Sequence, residues 1–247
     1  MNRSSGLTTA ACVLALSACG GDDDRIELQV YAASSLTTAF DTLQDTYEEA
    51  NPDVDVVLTY DSSATLAAQV LQDAPADVLA TADESTMAAV VEAGLVGGQP
   101  DIFATNTLVI ATPADNPARI QSLDDLDGAD FAVCVDTAPC GDATDRLFGL
   151  NEFTGTPISE EDNVRGVLEK VTSGTVDAGL VYASDAQAAG EEVIVVEVDN
   201  AAEVVNADPI AVITTSENAE QAQEWVDLVL SEEGQQVLAE LGFGPPP

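Results

Sequence analysis

The sequence has 247 residues, of which 45 are acidic, 6 are basic and none is histidine, for a formal net charge of −39. Clustered Lys and Arg are what nucleic acid binds, so such a surface excludes it as a partner. Without histidine no Ser–His or Cys–His pair and no His-ligated zinc site can form, and Lys170 is the sole lysine, so the chain reads as a non-enzyme.

Excess acid can also mean disorder, but 46% of the residues are hydrophobic and the apolar runs are regular, which indicates a folded, soluble protein. Residues 1–19, MNRSSGLTTAACVLALSAC, have a positive end at Arg3 and a short apolar stretch, the pattern of an export signal too short to span a membrane stably. LSAC followed by Gly20 resembles a bacterial lipoprotein cleavage site. That resemblance makes Cys19 the lipid anchor and the anchor the sole membrane contact; an ordinary signal cut nearby is the alternative. GGDDDR, 20–25, has the composition of a flexible tether.

Strand and helix then alternate. Strands are predicted at 26–32, 54–60, 76–82, 103–113, 131–135, 177–183, 191–198 and 208–215. Helices are predicted at about 35–49, from Ser62 through SSATLAAQVLQ, in ESTMAAVVEAG up to Gly94, at 141–150, at 160–174, and at about 217–230 and 232–241. Strands spaced by helices predict an α/β protein with mostly parallel sheets flanked by helices. No Gly-x-Gly-x-x-Gly or Walker pattern follows a strand, so nucleotide binding has no support. DDLDGAD, 124–130, lacks the Glu that would close a calcium loop and reads as a solvated turn.

Two junctions carry chemistry. Ser34 and Ser35 follow the first strand, Ser62 and Ser63 follow the second, and each pair opens a helix. Ligands in α/β sheets gather beyond the carboxyl ends of strands, where a helix start offers unpaired N–H groups and a partial positive charge. Serine is also a favoured cap, so caps and anion donors are equally good readings of composition alone. Cys134 and Cys140, in CVDTAPC, are read as a disulfide, because export permits one and two thiols without histidine make an incomplete metal site.

YAASSLTTAF, TYDSSATLAAQV, APADVLATAD, EDNVRGVLEKVTSGTVDAGLVYASDA and ADPIAVIT together resemble the extracytoplasmic molybdate-binding proteins of ABC transporters, in register over 26–243. The resemblance implies a two-lobed periplasmic-binding-protein-like fold of type II with two interlobe crossings, expected near 105–110 and 205–210. Lobe one would be 26–107 with 209–247, and lobe two 108–208. It further implies an oxyanion site made of the Ser35 and Ser63 hydroxyls, the backbone N–H groups of Cys140 and Val164, and the Tyr182 phenol. The ligand would be molybdate, with tungstate expected too, bound as the oxyanion without a separate cofactor or a direct metal ligand. The partner would be an ABC permease, the state a monomer, and the location outside the cytoplasm. Receptors for another oxyanion such as sulfate, or a lipoprotein reusing the fold, are the alternatives.

Asp61 departs from that pattern, since a carboxylate in the site would repel an anion; it is expected to point away from the cleft. Arg165 and Lys170 are read as structural or solvated, and Trp225 as packing of a C-terminal helix.

Overall fold

The computed structural model describes residues 25–247; the signal at 1–19, Cys19 and the tether up to Asp24 lie outside the described residues. Two five-stranded sheets carry the chain. The first is built from β1 (Ile26–Ala33), β2 (Val54–Asp61), β3 (Val78–Ala80), β4 (Asp101–Asn106) and β10 (Asn206–Val212), in the order β2-β1-β3-β10-β4. The second takes β5 (Leu108–Pro113), β6 (Phe131–Cys134), β7 (Ser159–Glu161), β8 (Ala178–Tyr182) and β9 (Val193–Val196), in the order β7-β6-β8-β5-β9.

The two orders share one plan. Three strands of each sheet, joined through helices, run parallel, as crossover connections allow. The fourth and fifth strands of each sheet pair antiparallel, so each sheet is mixed. The apolar run 103–113, read as one strand, is two. Thr107 separates β4 from β5, and the chain passes there from the first sheet to the second. No Gly or Pro marks the junction and strand-like residues run through it, which is why periodicity does not reveal the break. The return is complete by Asn206, which already pairs with Asn106, three residues before the expected boundary at 209.

Helices α1 (Thr37–Ala50), α2 (Ser63–Val70), α3 (Glu84–Glu92), α7 (Ala219–Leu230) and α8 (Glu232–Glu240) cover the first sheet. Helices α4 (Pro139–Leu150), α5 (Val164–Thr172) and α6 (Ala183–Ala189) belong with the second. The apolar pattern gives no sign of β7 or α6. β7 is a three-residue acidic edge strand held by β6 alone, and α6 is a seven-residue helix of mostly small residues. Helix 160–174 accordingly begins only at Val164. DDLDGAD lies in a turn closed by a capping box between Ser122 and Asp125. Among the described residues no helix is long and apolar enough to cross a membrane.

The core of the first lobe is pinned by an aromatic group. Trp225, fully buried on α7, meets Phe40 edge-on at 5.5 Å and Tyr47 at 5.6 Å, both on α1. The C-terminal helices are thereby stapled to the sheet that the chain left at Thr107. Lys170 stays partly exposed, and its Nζ lies 3.3 Å from Glu161, joining α5 to β7. Truncating Trp225→Ala should cost about 3–5 kcal/mol, the usual range for a buried large aromatic, measured by urea unfolding. A loss below about 1 kcal/mol would show that α7 does not depend on this contact.

Candidate binding site between the two sheets

The strand–helix junctions of both sheets face one another. The turn Ser34–Leu36 follows β1, α2 follows β2, α4 follows β6, α5 follows β7 and α6 follows β8. Ser34, Ser35, Ser62, Ser63, Cys140, Val164 and Tyr182 line a single small cavity, with Asp61, Asn163, Ala82, Ala33 and Pro139 completing its wall. The free space is small, on the order of one water molecule, and far too small for a sugar or an amino acid.

The hydrogen bonds of the wall decide what it can hold. Ser35 Oγ is buried and has no partner. Ser63 Oγ accepts the Ala82 N–H at 3.0 Å, and its own proton is left to donate. Tyr182 Oη accepts Asn206 Nδ2–H at 2.8 Å, which again leaves the phenolic proton free. In α4 the cap Ala138 accepts from Gly141 and Asp142, and Pro139 has no N–H, so Cys140 offers the first unpaired one. In α5 the cap Asn163 accepts from Gly166 at 3.1 Å, leaving the Val164 N–H without an intrahelical acceptor. Neutral donors from both sheets thus converge on one point, each at a strand end or helix start. They suit a solute that presents acceptors only.

Charge lies around this point rather than in it. Arg165 is not on the cavity wall; it lines a wider cleft beside it and pairs loosely with Glu169 at 3.6 Å on the exposed side of α5. Asp61 does not leave the cleft as expected. It remains on the wall, but Oδ1 accepts the Ser62 N–H at 2.7 Å, and Asn163 Nδ2 reaches it from the other sheet at 3.5 Å. Its charge is therefore directed into its own turn and across the cleft. Behind Tyr182 lie two buried acids. Burial pushes the Asp185 carboxyl up to about 7, held back by the Tyr182 N–H and by Arg165. Asp208, fully buried with both oxygens unpartnered, is pushed well above the usual carboxylate range by burial and then by Asp83 and Asp185. The same burial, with Asp208 and Asp185, raises Tyr182 well above its ordinary value, so it stays a neutral donor.

The bacterial extracellular solute-binding protein family matches residues 28–244. The chain belongs to this family. The molybdate-binding protein ModA of Mycobacterium tuberculosis is 39% identical over 255 aligned positions, covering 98% of each chain. ModA of Haemophilus influenzae is 28% identical over 232 positions, covering 88% of this chain and 89% of its own. The solved periplasmic molybdate-binding protein of Azotobacter vinelandii superposes with a TM-score of 0.79 at 16% identity, covering 89% of this chain and all of that one, a likeness of fold.

In this solute-binding protein the five residues expected from the sequence, Ser35, Ser63, Cys140, Val164 and Tyr182, come together on one wall. Sequence reasoning missed Asn163, Ala82 and Asn206, which hold those donors in place; their partners are distant in sequence and no motif marks them. The Cys134–Cys140 disulfide is present, with Cα atoms 5.7 Å apart, joining the end of β6 to the start of α4. Gly141 lets that loop close, since a Cβ there would collide with the Val135 carbonyl.

Two measurements follow. Cys134→Ala with Cys140→Ala should lower stability by about 2 kcal/mol in urea unfolding, as expected for a short closed loop. An unchanged midpoint would mean that the bridge does not brace the α4 start. The buried acids set a sign for pH dependence. Between an unfolded carboxylate value near 4 and the raised folded values, the native state holds protons that the unfolded state has released. Stability should therefore fall as pH rises from about 4 toward and beyond 7. Asp208→Asn should gain stability relative to the unmutated protein over that rise; parallel curves would count against a protonated Asp208.

Proposed function

We propose that the chain binds molybdate in this cavity and delivers it to an ABC permease. The observation that carries the reading is the cage of neutral donors. A fully ionised tetrahedral dianion has acceptors on every side, and Ser35, Ser63, Tyr182, Cys140 and Val164 face it with O–H or N–H groups. The one carboxylate of the wall, Asp61, is engaged through Oδ1 by Ser62 and Asn163. The relatives from Mycobacterium tuberculosis and Haemophilus influenzae are molybdate-binding proteins by name, which supports the choice of anion.

Ser35, Ser63 and Tyr182 would donate through hydroxyls, and Cys140 and Val164 through backbone N–H groups. Tungstate, nearly the same size and shape, would bind as well, while sulfate, a smaller tetrahedron, would reach the donors less closely and bind more weakly. The lobes, each one sheet with its helices, would close on the anion about the two crossings. Cys19 would hold the protein at the outer face of the membrane by its lipid, as a monomer and without catalytic activity.

Calorimetric titration of the purified protein with molybdate, tungstate, sulfate and phosphate tests this. One-to-one binding of the first two, with sulfate much weaker, is the expected result. Ser35→Ala and Ser63→Ala should each weaken molybdate about tenfold or more, as loss of a hydrogen bond to a charged group does. Equal affinity for sulfate would move the assignment to a general oxyanion receptor, and no heat with any anion would end it.

A further inference from the structure

We propose that Asn206 sets the donor polarity of the site, and with it the preference for a fully deprotonated anion. Asn206 touches no ligand; it is a positioning residue on β10, at the point where the chain returns to the first sheet. The inference rests on the oxyanion reading above.

The side chain is buried, and its Nδ2 serves two acceptors: the Ala82 carbonyl at 2.9 Å and Tyr182 Oη at 2.8 Å. The first bond fixes which end of the amide is which. A carbonyl can only accept, so the amide must present nitrogen to Ala82. The same nitrogen then presents its second hydrogen to Tyr182 and occupies a lone pair of the phenol. The phenolic proton is left to point elsewhere, and the cavity lies on that side. The Ala82 peptide repeats the device: its N–H occupies a lone pair of Ser63 Oγ and frees that hydroxyl proton too. Hydroxyls are rotors that accept as readily as they donate. Here one peptide and one amide each take a lone pair, which turns the protons of Ser63 and Tyr182 toward the cavity. What remains is a wall that meets the solute with donors first at those two positions.

The charged groups near Tyr182 are Asp208 on β10, Asp185 on α6, Asp83 at the cap of α3 and Asp142 on α4, and Arg165 on α5 faces Asp185. None of them is hydrogen-bonded to the phenol: Asp185 accepts the Tyr182 N–H at 3.2 Å, the Asp208 carboxyl bonds no group among the described residues, and Arg165 is directed to Glu169. Asn206→Asp would reverse the polarity. To face the Ala82 carbonyl it must hold a proton there, and its oxygen would then accept from Tyr182. The phenol would turn its proton away from the cavity and offer a lone pair instead. Asn206→Leu would leave the phenol free to rotate.

The test is titration of the unmutated protein, N206D, N206L, Y182F and the double variants N206D/Y182F and N206L/Y182F. Molybdate is the first probe, and inorganic phosphate the second, across the pH range in which phosphate gains its second negative charge. Urea unfolding confirms that each variant folds. The expected pattern is a loss of about tenfold to a hundredfold for N206D and a smaller loss for N206L. Neither should lose further affinity on top of Y182F, because both act through the phenol. N206D should also shift its phosphate preference toward the lower pH, where the ligand keeps an O–H to give. If the unmutated protein binds but the losses add to that of Y182F, and N206D shows no pH shift, Asn206 is only a packing residue and the proposal is wrong. If N206D does not fold, the N206L cycle decides alone: additivity overturns the proposal and non-additivity supports it. If the unmutated protein binds no anion, the oxyanion reading itself has failed, a result distinct from either.

Discussion

Everything in this molecule is arranged around strand ends that leave backbone and hydroxyl hydrogens unpaired. A helix start cannot satisfy its own first N–H groups, and a parallel strand feeding a helix places that start at the sheet's carboxyl edge. One such edge makes a weak site. Two sheets built on the same plan and joined at Thr107 and Asn206 bring the two edges together, and the Ser35 and Ser63 hydroxyls then meet the Cys140 and Val164 N–H groups and the Tyr182 phenol. The mixed topology serves this end. The antiparallel strands β4, β5 and β10 carry the chain between sheets, so the crossings lie beside the site: Asn106, at the end of β4, bonds Ser184 on α6 at 2.7 Å, and Asn206 bonds Tyr182.

A site assembled in this way needs no cation, and this chain has few to offer. A net charge of −39 sets a repulsive background for any anion, yet its reach in physiological salt is about 8 Å for exposed charges. Inside that distance the arrangement is more careful. Asp61 is turned into its own backbone and toward Asn163, and burial favours the protonated forms of Asp185 and Asp208. The acids nearest the phenol are thus the ones whose environment suppresses their charge. The extra acid elsewhere is a property of the surface and leaves the cage alone.

Much of this is legible in the sequence, and the part that is not has a physical cause. The serine pairs at 34–35 and 62–63 can be located because strand and helix periods change there, while Tyr182, Cys140 and Val164 are reached only through the resemblance to molybdate-binding proteins. The break at Thr107 cannot be located, since no Gly or Pro interrupts the run there and pattern alone does not say which sheet a strand joins. β7 and α6 are too short and too acidic or too small-sided to show a period. Asn163, Asn206 and Ala82 escape for a different reason: each acts on a residue far along the chain, with separations of 102, 24 and 19 residues.

That last group also shows where specificity resides. The donors themselves are common groups at common positions, and any hydroxyl can face either way. What makes them a cage is the set of fixed acceptors and donors behind them, ultimately backbone groups whose polarity cannot invert. The Ala82 carbonyl orients Asn206, Asn206 orients Tyr182, and the Ala82 N–H orients Ser63. Ser35 is the exception, with no protein partner for its buried hydroxyl. Ser35 can turn its proton to whatever acceptor the cavity holds, while Ser63 and Tyr182 contribute through being already aimed.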